Sequence, residues 1–437
     1  MWEGLLDPDP RPAAPLPLAE AELRLSAAAA ALDAEQVPLG ASREGRPLEL
    51  VRFGDGPRRV LWYAGPHANE VAGVASIVTH AERLVSNSAV LDGDTGIDLL
   101  LCVDPDVYVR NEAWFAPEID MAAYYRHFHR PPMDEWPDWD FPVAHGLLQR
   151  ASRLPETAAL RSALELSRPA VMVSLHNGEL HGMHGYLSGA APGLAEVLAA
   201  IPAKHGFPVE LAALDDPDAE PLAPGIFAAP VMTEAWDAVL AAGDPDPATL
   251  LPMGDSAASW ALERFGTVTV ISEVPHWSMA SGIPVDRTVG DLARRTAATV
   301  AAFGERLATA VAAVELPTAD VRVRSCRNAV PMLARLAAGF GVLADGSAGC
   351  APATSADVAR LGIMLGECLP QRYRGQLLGA LVDAGAPEAA VRAAQHHFDG
   401  GMARLRALPI RVHPFTSMVE AQLATGLAAT ERATVPA

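Results

Sequence analysis

His67 and Glu70 stand three residues apart in the stretch Arg59–Leu84, RVLWYAGPHANEVAGVASIVTHAERL. An imidazole and a carboxylate at that spacing can turn to one side and share a metal ion, and zinc favours such nitrogen and oxygen donors. A catalytic zinc site needs a third protein ligand and an open position. Further along, HNGELHGMHG offers three imidazoles, His176, His181 and His184. His176 directly follows the apolar run AVMVSL, Glu273 directly follows TVTVIS, and His67 lies just past VLWY. His67, Glu70 and His176 would complete a His₂Glu set binding one zinc per chain, with His181 and His184 competing for the third place. Glu273 would be a nearby carboxylate outside the ligand set, able to take a proton from a water and pass it to a leaving amine.

These residues need elements to hold them. Val60–Tyr63 reads as a short buried strand that Gly65 and Pro66 break. Val71, Val74, Ala75, Val78, Ala81 and Leu84 then recur at helical spacing. Ile97–Val103, Ala170–Leu175 and Thr267–Ser272 read as further buried strands, and Leu39–Phe53 as a turn followed by an alternating strand. Helical patterns occupy Leu18–Leu32, Thr157–Leu166, Leu194–Ala200, Ser256–Phe265 and Leu292–Val314. Strands alternating with helices predict an α/β fold with a mixed, largely parallel central sheet, in which ligands sit beyond the carboxyl ends of strands. Asn111–Pro142 is aromatic and aperiodic and is expected to be a long surface excursion lining the site, with Trp114, Trp136 and Trp139 as cleft walls or packing residues. Asp215–Pro224 reads as an acidic linker. Beyond Pro317 only helices are expected, over Pro331–Phe340, Ser355–Leu369, Arg374–Ala384 and Glu388–Leu408. The expected organisation is a lead-in with one helix (1–35), a catalytic domain (36–317) and a separate C-terminal helical domain (318–437).

At 437 residues, half of them hydrophobic and a fifth charged, the chain is globular with room for a large core. A net charge of −20 argues against nucleic-acid and anionic-membrane partners, which call for basic patches. The expected partner is a small peptide or acyl-amino-acid substrate, and self-association stays open. Cys102, Cys326, Cys350 and Cys368 form no C-x-x-C pair and read as thiols in a reducing compartment. No basic leader precedes an apolar stretch at the N-terminus, and no run reaches the roughly 18 apolar residues of a membrane span. The expected location is the cytoplasm.

The same residues bear a resemblance. LGASREGRPLELVRFG is similar to the G-x-S-x-x-G-R-x-I strand of the zinc carboxypeptidases, PHANEVAG to their H-x-x-E, and CVDPD at Cys102–Asp106 to their N-P-D-G. SLHNG and SWALERFGTVTVISE resemble the segments with the last zinc ligand, His176, and the catalytic glutamate, Glu273. The resemblance covers roughly residues 36–305. It implies a zinc-carboxypeptidase-like fold, with Arg110 where the family often keeps an arginine that polarises the scissile carbonyl. It also implies Asn177 and Leu262 at substrate-facing positions, Leu262 standing where the family has a tyrosine. The family's D-x-N-R-N-F, whose arginine holds a substrate carboxylate, corresponds to IDMAAYYRHFHR. Aligned on Asp120, the Asn and Arg become Ala122 and Ala123; aligned on the end, Arg126 takes the arginine's place. Asp104 replaces the Asn of N-P-D-G. The activity implied is hydrolysis of an amide or peptide bond in a small substrate. The alternatives are an N-acyl amino acid deacylase of the aspartoacylase and succinylglutamate desuccinylase type, or a binding protein on a degenerate fold. Glu179 is expected to be a solvated loop residue, and His127, His129, His276, His396 and His397 to be structural.

Overall fold

The computed structural model describes residues 5, 14–146, 148–213, 219–230, 232–241, 253–279 and 285–434. Its centre is a ten-stranded mixed sheet. Strands β1 (Glu35–Ala41) and β2 (Pro47–Phe53) form an antiparallel hairpin, and β3 (Arg58–Ala64) and β4 (Thr95–Leu100) follow as parallel neighbours. A small separate hairpin joins β5 (Val143–His145) to β6 (Leu148–Arg150). Next come β7 (Val171–Leu180), β8 (His184–Ser188), β9 (Pro221–Ala223), β10 (Ile226–Ala228), β11 (Val268–Met279) and β12 (Ile410–Val412). The order across the main sheet is β1-β2-β4-β3-β7-β11-β8-β10-β9, with β12 pairing with the end of β11. Strands β4, β3, β7 and β11 run parallel at its centre.

The central strands are apolar on both sides because helices cover both faces. Along β3, Val60, Trp62 and Ala64 join one core cluster while Leu61 and Tyr63 join another, the two-residue period of a strand. The first face is covered by helices Leu18–Ala31, Ala72–Ser86 and Phe415–Thr434; the second is covered by Pro155–Ser167 and Ala257–Phe265. Chain order reverses at β3. Strand β4 lies on one side of it and β7 on the other, and this is where an open α/β sheet presents its ligand crevice.

Residues 318–437 are helical across most of their described length, as expected, but the sheet also uses them. The β12 pairing joins Val412 to Trp277, and helix Phe415–Thr434 lies against the sheet. There Thr430 Oγ1 accepts from Trp62 Nε1 at 3.3 Å, and Gln422 Nε2 donates to the His176 carbonyl at 2.9 Å. Only glycine can occupy position 426, since a Cβ there would come within 2.1 Å of the Trp62 ring. The remaining helices, Val289–Ala313, Val321–Asp345, Leu369–Asp383 and Glu388–Arg406, form a layered bundle with a π-helical segment at Val358–Cys368. The helix expected over Pro331–Phe340 is part of a longer one, Val321–Asp345, that runs through that proline. Part of the expected linker (215–218) lies outside the described residues. Among those described, no helix is long and apolar enough to cross a membrane.

The expected surface excursion is instead packed inward. Trp114, Tyr124, Tyr125, Phe128 and Phe141 within it are all buried, and Gly375 of helix Leu369–Asp383 sits directly on the Tyr125 carbonyl. Its aromatic content is the reason, because so many rings carry too much apolar area to stay in water.

Candidate metal centre

Strand β3 ends at Ala64, and Gly65 after it, with a φ of +62°, turns the chain where a side chain would collide with the Cys102 sulfur. A tight turn follows, its Glu70 amide bonded to the His67 carbonyl at 2.9 Å. That turn brings both side chains to one side, with His67 Nδ1 3.0 Å from Glu70 Oε1. Strand β7 outruns β3, which stops at the pair Ala64–Leu175, so His176 emerges into the crevice one residue later. Its Nδ1 lies 2.8 Å from Glu70 Oε2. The three side chains are buried, and their donor atoms all lie within 4.8 Å of one another. Among the described residues this is the group of His, Cys, Asp and Glu side chains that converges closely enough to hold a metal ion.

The outer edge of the His176 ring is also engaged. His176 Nε2 meets Ser174 Oγ at 2.8 Å, and Asp138 carboxylate oxygens lie 3.6 Å from His67 Nε2 and 3.9 Å from His176 Nε2. A His176 ring that donates from Nε2 to Ser174 Oγ points the lone pair of its Nδ1 at Glu70. The two Nδ1 atoms lie 3.0 and 2.8 Å from the Glu70 oxygens, and two imidazole nitrogens with one carboxylate oxygen are a donor set that suits zinc. The residues therefore fit the metal that the sequence implies. Without it, protons take its place. Burial disfavours the charged form of His176, but the charge of Glu70 and its hydrogen bond outweigh that and push the imidazole up to about 9. Burial, with Arg130 adding to it, holds His67 below its ordinary value. Burial would raise Glu70, yet the two histidines hold its carboxyl well below the usual range.

Glu273 pairs in register with His176 on the adjacent parallel strand, so both side chains project from the same face. Its Oε1 is 3.9 Å from His176 Nδ1, and the residue stands outside the convergent triad. On its other side, antiparallel β8 places His184 directly opposite Glu273. His184 is buried, its Nδ1 faces the Gly182 carbonyl at 3.2 Å, and burial pushes its imidazole down to about 4, which keeps it neutral. His181 likewise turns Nδ1 to the Gly182 carbonyl, at 2.6 Å. Neither joins the triad.

Other sequence-predicted positions fall differently. Arg110 is exposed and paired with Glu44. The arginine that reaches the centre is Arg130, whose Nη1 donates to Glu70 Oε1 at 3.1 Å while its guanidinium lies 4.3 Å from the Trp136 ring centre. Trp136 in turn packs 4.6 Å from the His67 ring and walls the site. Arg126 is half-buried with Nη1 unpartnered among the described residues, and no hydrogen bond or ion pair connects it to the triad or Glu273. Asn177 is occupied structurally: its Oδ1 accepts from the Ala72 amide at 2.9 Å, and its Nδ2 donates to the Val274 carbonyl at 3.0 Å. Leu262, on helix Ala257–Phe265, packs beside Gly189 next to Val268, the first residue of β11, whereas Glu273 lies further along that strand beside His176. Glu179 is not a solvated loop residue. It is buried in β7 and accepts from Tyr124, Tyr125 and Arg372 at 3.0, 2.8 and 2.7 Å. The expected structural role of His276 agrees with its burial among Trp114, Tyr124 and Trp277.

Sequence reasoning did not single out Ser174, Asp138 or Arg130. Ser174 carried a usable signal, since it lies two residues before His176 on the same strand face. Asp138 and Arg130 carried none, because their approach depends on how the aromatic segment folds back.

No family model matches the chain, and no curated protein matches it. Among solved structures the chain is similar to a candidate metallopeptidase from Shewanella amazonensis, with 16% identity over 75% of this chain and 92% of that one, at a TM-score of 0.42. It is similar to a metallo-carboxypeptidase from Burkholderia cenocepacia, with 16% identity over 60% of each chain and a TM-score of 0.34. It is also similar to a metallo-carboxypeptidase from Pseudomonas aeruginosa in complex with (2-guanidinoethylmercapto)succinic acid, with 14% identity over 60% of each and a TM-score of 0.38.

Proposed function

We propose that this chain is a zinc-dependent hydrolase that cleaves an amide or peptide bond in a small peptide-like substrate. The observation that carries the proposal is the convergence of His67 Nδ1, Glu70 and His176 Nδ1 within 4.8 Å, with Glu273 beside the set. When bound, zinc would supply Lewis-acid chemistry, polarising a carbonyl and making a water easier to deprotonate.

The protein's own groups would do the rest. Glu273 stands outside the ligand set but near enough to take a proton from the attacking water and return it to the leaving nitrogen. Arg130 brings fixed positive charge to the site, where the carbonyl oxygen becomes negative. Trp136 and the packed aromatic segment behind it exclude bulk water, which strengthens both effects. Ser174, at hydrogen-bond distance from His176 Nε2, would orient that ring so that its Nδ1 is left for the metal. The usual carboxylate-holding motif is altered, and Leu262 lies away from the centre, so we propose a narrow substrate range and not a broad carboxypeptidase activity.

The test combines metal content with turnover. Purified wild type should carry about one zinc per chain, and His67→Ala and His176→Ala should each lose most of it. A panel of dipeptides and N-acyl amino acids should give zinc-dependent cleavage of a few members. Full zinc in both variants, or a zinc-loaded protein inert on the whole panel, would count against this reading.

A further inference from the structure

Away from the sheet, helices Val289–Ala313, Leu369–Asp383 and Glu388–Arg406 enclose a cavity of about 690 Å³. That volume lies in the roughly 300–1,000 Å³ range of small-molecule sites. The cavity follows from composition. Ala310, Ala313, Ala390, Ala393 and Gly400 face it, and side chains this small leave a trough between neighbouring helices. Leu307, Leu377 and Leu381 supply the apolar walls.

Three arginines stand around it, in a chain whose net charge is −20. Arg306, Arg374, Arg404, His396 and His397 line it, against one acidic residue, Glu305. Arg404 is paired with Glu367 at 2.8 Å. Arg374 is 8% exposed, yet no carboxylate forms an ion pair with it among the described residues. Its Nη1 donates to the neutral Gln371 Oε1 at 3.2 Å, and its guanidinium lies 5.0 Å from the Phe303 ring centre. Arg306 also lacks an ion-pair partner among the described residues and is exposed. A buried charge ordinarily has a counter-charge. Here burial, with the charges of Arg404 and Arg306 adding to it and that of Glu367 opposing, pushes Arg374 down to about 10, the direction that an anion in the cavity would reverse.

We propose that this cavity binds an amphiphilic carboxylate, with its head group at Arg374 and Arg306 and its hydrocarbon tail along Leu377, Leu381 and the alanine trough. The apolar walls select for a tail and the uncompensated guanidinium groups for an anion, so neither part alone should suffice.

Calorimetric titration of the full chain with decanoate, decanol and acetate tests this. Decanoate should bind in the micromolar range, with decanol and acetate at least tenfold weaker. Arg306→Gln, a change at an exposed position, should weaken decanoate at least fivefold. Ala390→Phe, which fills the trough, should abolish binding, and thermal melts would verify that both variants are folded. Arg374→Gln should act more strongly still, but the argument stands on the first two if that variant fails to fold. Equal binding of decanol and decanoate would overturn the proposal, as would wild-type decanoate binding by both Arg306→Gln and Ala390→Phe. Loss of decanoate binding in His67→Ala would place the ligand at the metal centre and overturn it as well.

Discussion

Glu273 and Arg130 reach the same centre by different routes, one along a strand and the other from the folded-back aromatic segment. Their roles separate experimentally. Glu273→Gln keeps the shape and removes the base, so zinc content should stay near wild type while kcat falls on the order of 10²–10⁴-fold. Near-normal kcat would remove Glu273 from the mechanism. Arg130→Gln should lower kcat/KM about 10²-fold at saturating zinc, the scale of losing one oxyanion donor. Arg110→Gln should stay within about twofold, because Arg110 is spent on Glu44 at the surface. The reverse ranking of these two variants would restore Arg110 to the role that the family resemblance suggests.

At the scale of elements, the turn after β4 carries a titrating cap. Asp104 is wholly buried and accepts from the Val107 amide at 3.3 Å, capping helix Pro105–Asn111. Burial, against the pull of Arg43, pushes its carboxyl from 3.8 up to about 7. The folded state therefore binds a proton between those values that the unfolded state has released. The stability this group contributes is full below pH 3.8 and is lost as pH rises through about 7. A shift of about three units at ~1.4 kcal/mol each sets an upper scale of ~4 kcal/mol. Asp104→Asn keeps a cap acceptor without the titration. Urea unfolding should show a flatter stability between pH 5 and 8 and a gain of about 1–3 kcal/mol at pH 8. A variant less stable than wild type at pH 8 would mean that the 3.6 Å contact with Arg43 outweighs the cost of burial.

On the scale of the whole molecule, the C-terminal elements complete the layer that covers one face of the sheet. Helix Phe415–Thr434 buries Met418, Val419, Leu423 and Leu427 against the sheet, and Glu420 pairs with Arg83 at 2.5 Å. Each large apolar side chain is worth about 1.5–3 kcal/mol when buried, and a domain's whole net stability is only about 5–15 kcal/mol. A chain ending at residue 408 should therefore fail to give a cooperative melt or retain zinc. If it folds and binds zinc as the full chain does, residues 409–437 are dispensable and the boundary expected near 317 describes the molecule better.

What the sequence determined by itself was local. Hydrophobic period placed β3, β4, β7 and β11 and the helix after His67, because a strand covered on both faces and an amphipathic helix each leave their own spacing. The triad was legible too, since H-x-x-E and the ends of two apolar runs mark residues that the parallel sheet must bring to one edge. Strand register then set His176 beside Glu273 and added His184, which the sequence could offer only as a rival ligand. Arg130 and Asp138 were decided by tertiary structure alone, as was the choice of Trp136 among the tryptophans that the sequence offered as cleft walls. They lie in an aperiodic segment whose path is fixed by where its aromatic side chains find cover, and no spacing in the chain encodes that. The same holds for Gln422 and Thr430, which meet His176 and Trp62 from more than two hundred residues away: packing against the sheet, not anything local to their helix, brings them there.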